Sequence, residues 1–157
     1  MKSIAYAVTF FIVTAISAYV FLRDWHKDLF ACTADVEFIV KTNNSIFKLD
    51  GDYDFLINKE NKASINISGT FYIENKKHEI NRIYFIDYLK RKSDEYYIMK
   101  IVDKEIHSTD TTPTETFEKL FLSQGFNVPF YLKIKHLNKD LYLVEDLKRS
   151  YFTCIRQ

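Results

Sequence analysis

Glycine, proline and cysteine are scarce in this chain, and each shortage narrows what it can be. Three glycines stand apart, at 51, 69 and 125, so no Gly-rich phosphate loop exists. With only those and two prolines the composition does not read as disordered. Charge of one sign is never bunched: 22 Lys and Arg face 21 Asp and Glu, for a net charge of +1. A nucleic-acid surface is excluded on that ground, because phosphate binding needs clustered cations. The four histidines, at 26, 78, 107 and 136, show no metal-ligand spacing among themselves or with the cysteines. Asp50, Asp52 and Asp54 do not continue into a calcium loop. They alternate with Leu49, Tyr53 and Phe55 and read as the wet face of a strand. The Thr-rich stretch Ser108 to Thr116 reads as loop and helix cap rather than hydroxyl chemistry. No catalytic constellation stands out, and neither an enzyme nor a cofactor or metal site is expected.

What is present can build a core: 47% of the residues are apolar and 17% aromatic. The length of 157 residues suits one domain, or a small domain with an appendage. Ser3 to Leu22 carries no charge. As a helix of about 20 residues it would rise roughly 30 Å, the thickness of a hydrocarbon core. Lys2 precedes it, and Arg23, Asp24 and Trp25 follow, with Trp suited to the headgroup level. The expectation is a cytoplasmic stub and transmembrane anchor over residues 1–25 and a periplasmic β-domain over 26–157. The chain would then be a single-pass protein of a bacterial inner membrane with its N-terminus in the cytoplasm. Two alternatives stay open. Ala15, Ile16 and Ser17 form a weak signal-peptide cleavage site. Leu29 to Cys32 resembles a lipidation box, although six residues separate it from the apolar run. All three readings put the remainder outside the cytoplasm.

From Cys32 the pattern has period two. Cys32, Ala34, Val36, Phe38 and Val40 share one face of a first strand. Phe47, Leu49, Tyr53, Phe55 and Ile57 mark a second, and Ala63, Ile65, Ile67, Phe71 and Ile73 a third. One dry and one wet face on each predicts an antiparallel sheet. Gly51 and Gly69 both fall on the dry phase in mid-strand. Matched glycines suggest a sheet curling into a barrel, and two unrelated bulges are the alternative. Further strands are expected over Ile80–Lys90, Tyr96–Ile106, Phe130–Leu137 and Leu141–Ile155, the last bending near "EDLKRS". His136 shares a phase with Phe130, Leu132 and Ile134 and reads as a half-buried, hydrogen-bonded histidine.

Two strands break the alternation. Tyr84, Phe85, Ile86, Tyr88 and Leu89, then Tyr96, Tyr97, Ile98 and Met99, are apolar on both faces. Such strands need cover on the second face. One short helix is expected over Pro113–Ser123, with Thr112 as N-cap, Glu115 completing a capping box and Gly125 as the stop. Its Phe117, Leu120 and Phe121 would cover only part of that face. These strand residues with Phe117 and Phe121 therefore form the candidate surface for a partner or a ligand.

Cys32 and Cys154 lie at the two ends of the polar part of the chain. In an exported domain such a pair is read as a disulfide, tying the first strand to the last; two free buried thiols are the alternative. The short "MKS" start, the uncharged Ile4 to Leu22, Cys32 in "ACTADVEF" and Cys154 in "YLVEDLKRSYFTCIRQ" carry a resemblance. The layout resembles the FidL-like membrane proteins of enterobacteria and, more loosely, the ToxS-type companions of ToxR-family regulators. The resemblance implies a periplasmic companion that binds and stabilises a membrane-bound ToxR-like transcriptional regulator. In some such pairs the two chains form a joint lipocalin-like sensory barrel. The alternative function is a free-standing periplasmic barrel that binds an apolar small ligand, bile-acid-like or lipid-like. The fold expected is thus mainly β: an N-terminal transmembrane helix, then an antiparallel curled sheet or lipocalin-like barrel with one short helix.

Overall fold

The structure, a computed structural model, describes residues 11–19, 30–43, 45–58, 60–91, 96–122 and 125–157. Residues 11–19 are helical (α1). Eight strands follow in chain order: β1 Phe30–Lys41, β2 Ile46–Ile57, β3 Lys62–Ile73, β4 Lys76–Lys90, β5 Tyr96–Ile106, β6 Phe130–Asn138, β7 Leu141–Glu145 and β8 Ser150–Arg156. A short helix, α2 Thr114–Phe121, lies between β5 and β6. Each strand pairs antiparallel with the next, and β8 returns to β1, so the sheet closes as an up-and-down barrel.

Of the expected anchor, residues 3–10 and 20–22 lie outside the described residues, as do Arg23, Asp24, Trp25 and Leu29. Ala15, Ile16 and Ser17 fall within α1. Among the described residues no helix is long and apolar enough to cross a membrane.

The period-two pattern determines the inside. Cys32, Ala34 and Val36 of β1, Leu49, Tyr53, Phe55 and Ile57 of β2, and Ala63, Ile67 and Phe71 of β3 are all buried. Ile80, Tyr84 and Ile86 of β4 and Met99 and Ile101 of β5 continue the same inner face. The intervening Asp35, Glu37, Asp50 and Asp52 are exposed on the outside, where Lys48 bridges Glu37 and Asp50.

Gly51 and Gly69 stand directly opposite each other in the β2–β3 register. A Cβ on Gly69 would lie 2.6 Å from the Gly51 Cα, and one on Gly51 would lie 2.9 Å from the Gly69 Cα. Gly69 also has φ +145°, a conformation that side chains oppose. The two strands pass each other closely there, and the sheet bends tightly enough to close.

The last expected strand, Leu141–Ile155, is in fact two. Asp146 breaks it, because its Oδ1 accepts the amides of Lys148 at 2.6 Å and Arg149 at 2.7 Å. The resulting turn sends the chain back as β8. The helix entry differs as well. Pro113 occupies the N-cap, with no side-chain cap. The Thr112 hydroxyl instead donates to the Glu79 carbonyl at 2.9 Å, so the expected capping box does not form. His136 is exposed rather than half-buried, with Nε2 2.9 Å from the Lys139 carbonyl.

Strand lengths make the wall uneven. β1 to β3 have 12 residues each and β4 has 15, while β6, β7 and β8 have 9, 5 and 7. β6 meets β5 only from Tyr96 to Met99, so β5 continues alone beyond the top of β6. α2 and the segment after it fill this notch, where the Asn127 amide donates to the Ile101 carbonyl at 2.9 Å. The close approach of the glycines predicts that Gly69→Ala lowers the unfolding free energy by about 3 kcal/mol. Urea denaturation measures it, and a loss below about 0.5 kcal/mol would contradict the contact.

Candidate functional site

Two surfaces emerge from the barrel wall, one inside and one outside. Inside, α2 lies across one end. Phe117 is fully buried, its ring edge-on to Phe71 of β3 at 5.6 Å and stacked on Phe121 at 5.0 Å. Phe121 reaches Phe38 of β1 at 6.3 Å. Glu118 accepts from Lys104 of β5 at 2.6 Å and from the Tyr84 hydroxyl at 3.5 Å. Side chains that meet β1, β3, β4 and β5 together place the helix over the interior and not on the outer face.

A buried ion pair fixes this plug. Arg82 falls on the inward phase of β4, between Ile80 and Tyr84, where a guanidinium must find a partner. It finds Asp110, with Nε–Oδ2 at 2.8 Å and Nη2–Oδ1 at 2.6 Å, and both side chains have no exposure. The amides of Asn81 and Thr112 also donate to Asp110, at 2.9 and 2.8 Å. The Arg82 guanidinium carbon lies 5.0 Å from the centre of the Phe117 ring. Burial pushes the Asp110 carboxyl up, but Arg82 and the two amides outweigh it and hold it below the usual value.

Below the plug lies a half-open cavity of about 170 Å³. Phe55, Ile65, Ile67, Ile101, Leu132 and Val144 form its apolar wall. Tyr53 and Tyr84 line it too. Burial raises both phenols, Tyr84 to about 12. Leu122, Gly125, Arg149 and Tyr151 line it as well. Arg149 is countered there by Asp146 at 3.6 Å.

Outside, the candidate residues divide by phase. Tyr84, Ile86, Met99 and Phe117 are core, and Tyr88, Tyr97 and Phe121 pack against it. These seven do not form an external surface. Phe85 and Leu89 of β4 are exposed, at 38% and 60%, and Tyr96 and Ile98 of β5 are half-buried. Leu89 stands opposite Ile98, and Ile98 opposite Tyr131 of β6, which is 36% exposed. One apolar row thus crosses three strands on the outer face. α2 covers none of it, where the expectation had the helix cover part of the second face. The sequence reading missed Tyr131, Arg82 and Asp110. An arginine on the inward phase was the available signal for the last two.

The ion pair carries a pH dependence. Asp110 is depressed in the fold, so its contribution is present above its ordinary value of 3.8 and is lost as pH falls through the depressed value. Asp110→Asn should lower the unfolding free energy at pH 7 by about 3 kcal/mol. It should also flatten the decline in stability below pH 3.8. Denaturation curves at pH 7 and pH 3 compare the two chains, and an unchanged pH slope would contradict the assignment.

The family model described as FidL-like putative membrane protein matches residues 69–154. The match runs from the glycine contact in β3 through the plug to the second cysteine. No curated protein matches the chain. The matched region is more than half of the chain and holds the ion pair and the outer row, so this protein belongs to the FidL-like family.

Proposed function

We propose that the chain is a membrane-anchored companion that docks, through the outer row Leu89–Ile98–Tyr131, onto the periplasmic domain of a ToxR-like membrane regulator and stabilises it. That row is the observation that carries the reading. An apolar row across three strands, with a tyrosine tip and charged neighbours, has the composition of a docking patch. Phe85 extends it along β4, and the Lys62–Asp87 pair at 2.6 Å borders it. The family description as membrane proteins and the uncharged stretch Ser3 to Leu22 support an anchor. Cys32 of β1 and Cys154 of β8 are joined by a disulfide, which supports an oxidising compartment. Because β8 already pairs with β1, the docking proposed is face to face, and the partner supplies no strand to the wall.

A second reading, a free-standing carrier of bile-acid-like or lipid-like ligands, draws on the cavity. At about 170 Å³ it is well below the roughly 300–1,000 Å³ of pockets for drug-sized ligands. A steroid does not fit that volume, and docking is favoured.

A photo-crosslinking residue placed at Leu89 or Ile98 in living cells tests docking. The expected adduct is a membrane protein with a winged-helix DNA-binding domain, and its level should fall when this chain is deleted. The same residue at Asp52, exposed on β2, should give no such adduct. Absence of the adduct at Leu89 and Ile98, with regulator level unchanged by deletion, would overturn the proposal.

A further inference from the structure

We infer that the barrel interior is a binding site for a small neutral molecule of one ring, or its equivalent in branched chain, that carries one hydrogen-bond acceptor. This uses the inner face and stands whether or not a partner docks outside.

Size comes first. A cavity of about 150 Å³ lined by aliphatic and aromatic side chains takes up benzene. The cavity here is about 170 Å³, room for a ring with two or three further atoms. Its wall of Phe55, Ile65, Ile67, Leu132 and Val144 has no polar side-chain atom and favours an apolar body.

Polarity comes next. Tyr53 lines the cavity and is only 9% exposed, yet its hydroxyl has no hydrogen-bond partner among the described residues. The hydroxyl is not fully buried, so this donor stays open to an acceptor that enters the cavity. Charge selects against ions. The cations around the interior are already matched: Arg82 by Asp110 at 2.6 Å, Lys104 by Glu118 at 2.6 Å and Arg149 by Asp146 at 3.6 Å. A charged ligand would enter without a counter-charge, which the apolar wall disfavours.

The probes are acetophenone, which has a ring and an acceptor, and ethylbenzene, which has the ring alone. The full chain with ¹³C-labelled isoleucine methyls reports on where they bind. Methyl resonances of Ile65, Ile67 and Ile101 should shift saturably with both probes. Those of Ile39 and Ile155, exposed on the outer face, should not. Tyr53→Phe should weaken acetophenone roughly fivefold, the loss of one hydrogen bond, and leave ethylbenzene unchanged. Val144→Phe, which fills the cavity, should abolish both. No saturable shift at the interior methyls would overturn the inference. So would equal weakening of both probes by Tyr53→Phe, or interior shifts with cholate and none with acetophenone.

Discussion

The barrel depends on a seam two residue pairs long. β1 pairs with β2 along its whole length, from Phe30 to Lys41, but with β8 only at Cys32–Arg156 and Thr33–Ile155. A hydrogen bond from the Gln157 amide to the Ala31 carbonyl at 3.0 Å lengthens the join only slightly. A sheet held shut by so few bonds would expose two free edges whenever it opened. The Cys32–Cys154 disulfide sits at that seam, both cysteines fully buried and their Cα atoms 5.5 Å apart. It spans 122 residues, and the chain-entropy view allows up to about 5 kcal/mol for a loop of that order. A covalent tie at the weakest join makes one closed barrel out of a long meander.

Closure has a geometric consequence. Five long strands and three short ones cannot make a wall of even height, and the notch above β6 to β8 must be filled by the chain between β5 and β6. Phe117 and Phe121 do the filling, and the Arg82–Asp110 pair holds the lead-in to α2 against β4. The plug is a short helix and the short strands bring few side chains inward. The interior below the helix is therefore incompletely packed, and the cavity follows from the topology. The outer row goes with it: among the described residues no helix lies over the outer face at the β4–β5–β6 junction, and Leu89 and Tyr131 are exposed there.

Much of this was legible in the sequence, because alternation is a local signal. The faces of β1 to β3 and the paired glycines follow from period two, and the tie between the cysteines from reading the chain as exported. Other features were not legible, for identifiable reasons. The break between β7 and β8 depends on one aspartate carboxylate capping two amides, within a stretch whose apolar pattern reads as continuous. The strands β4 and β5 show apolar residues on both phases, and period two alone does not say which phase faces in. Only the register does, and it places Tyr84, Ile86 and Met99 inside and Leu89 and Ile98 outside. The position of α2 depends on Asp110 meeting an arginine 28 residues away, which no window along the chain reveals. The tyrosine donor at position 53 was visible as an inward residue, but its lack of a partner is a property of the closed barrel alone.

Closure by the disulfide is the central claim, because the wall, the cavity beneath α2 and the placement of the outer row all rest on it. Peptide mapping by mass spectrometry tests it directly, on the protein alkylated in intact cells before any reductant is added. The account predicts that the peptides containing Cys32 and Cys154 are recovered joined to each other, with neither thiol labelled. Recovery of both peptides separately, each carrying the alkylating group, would contradict it.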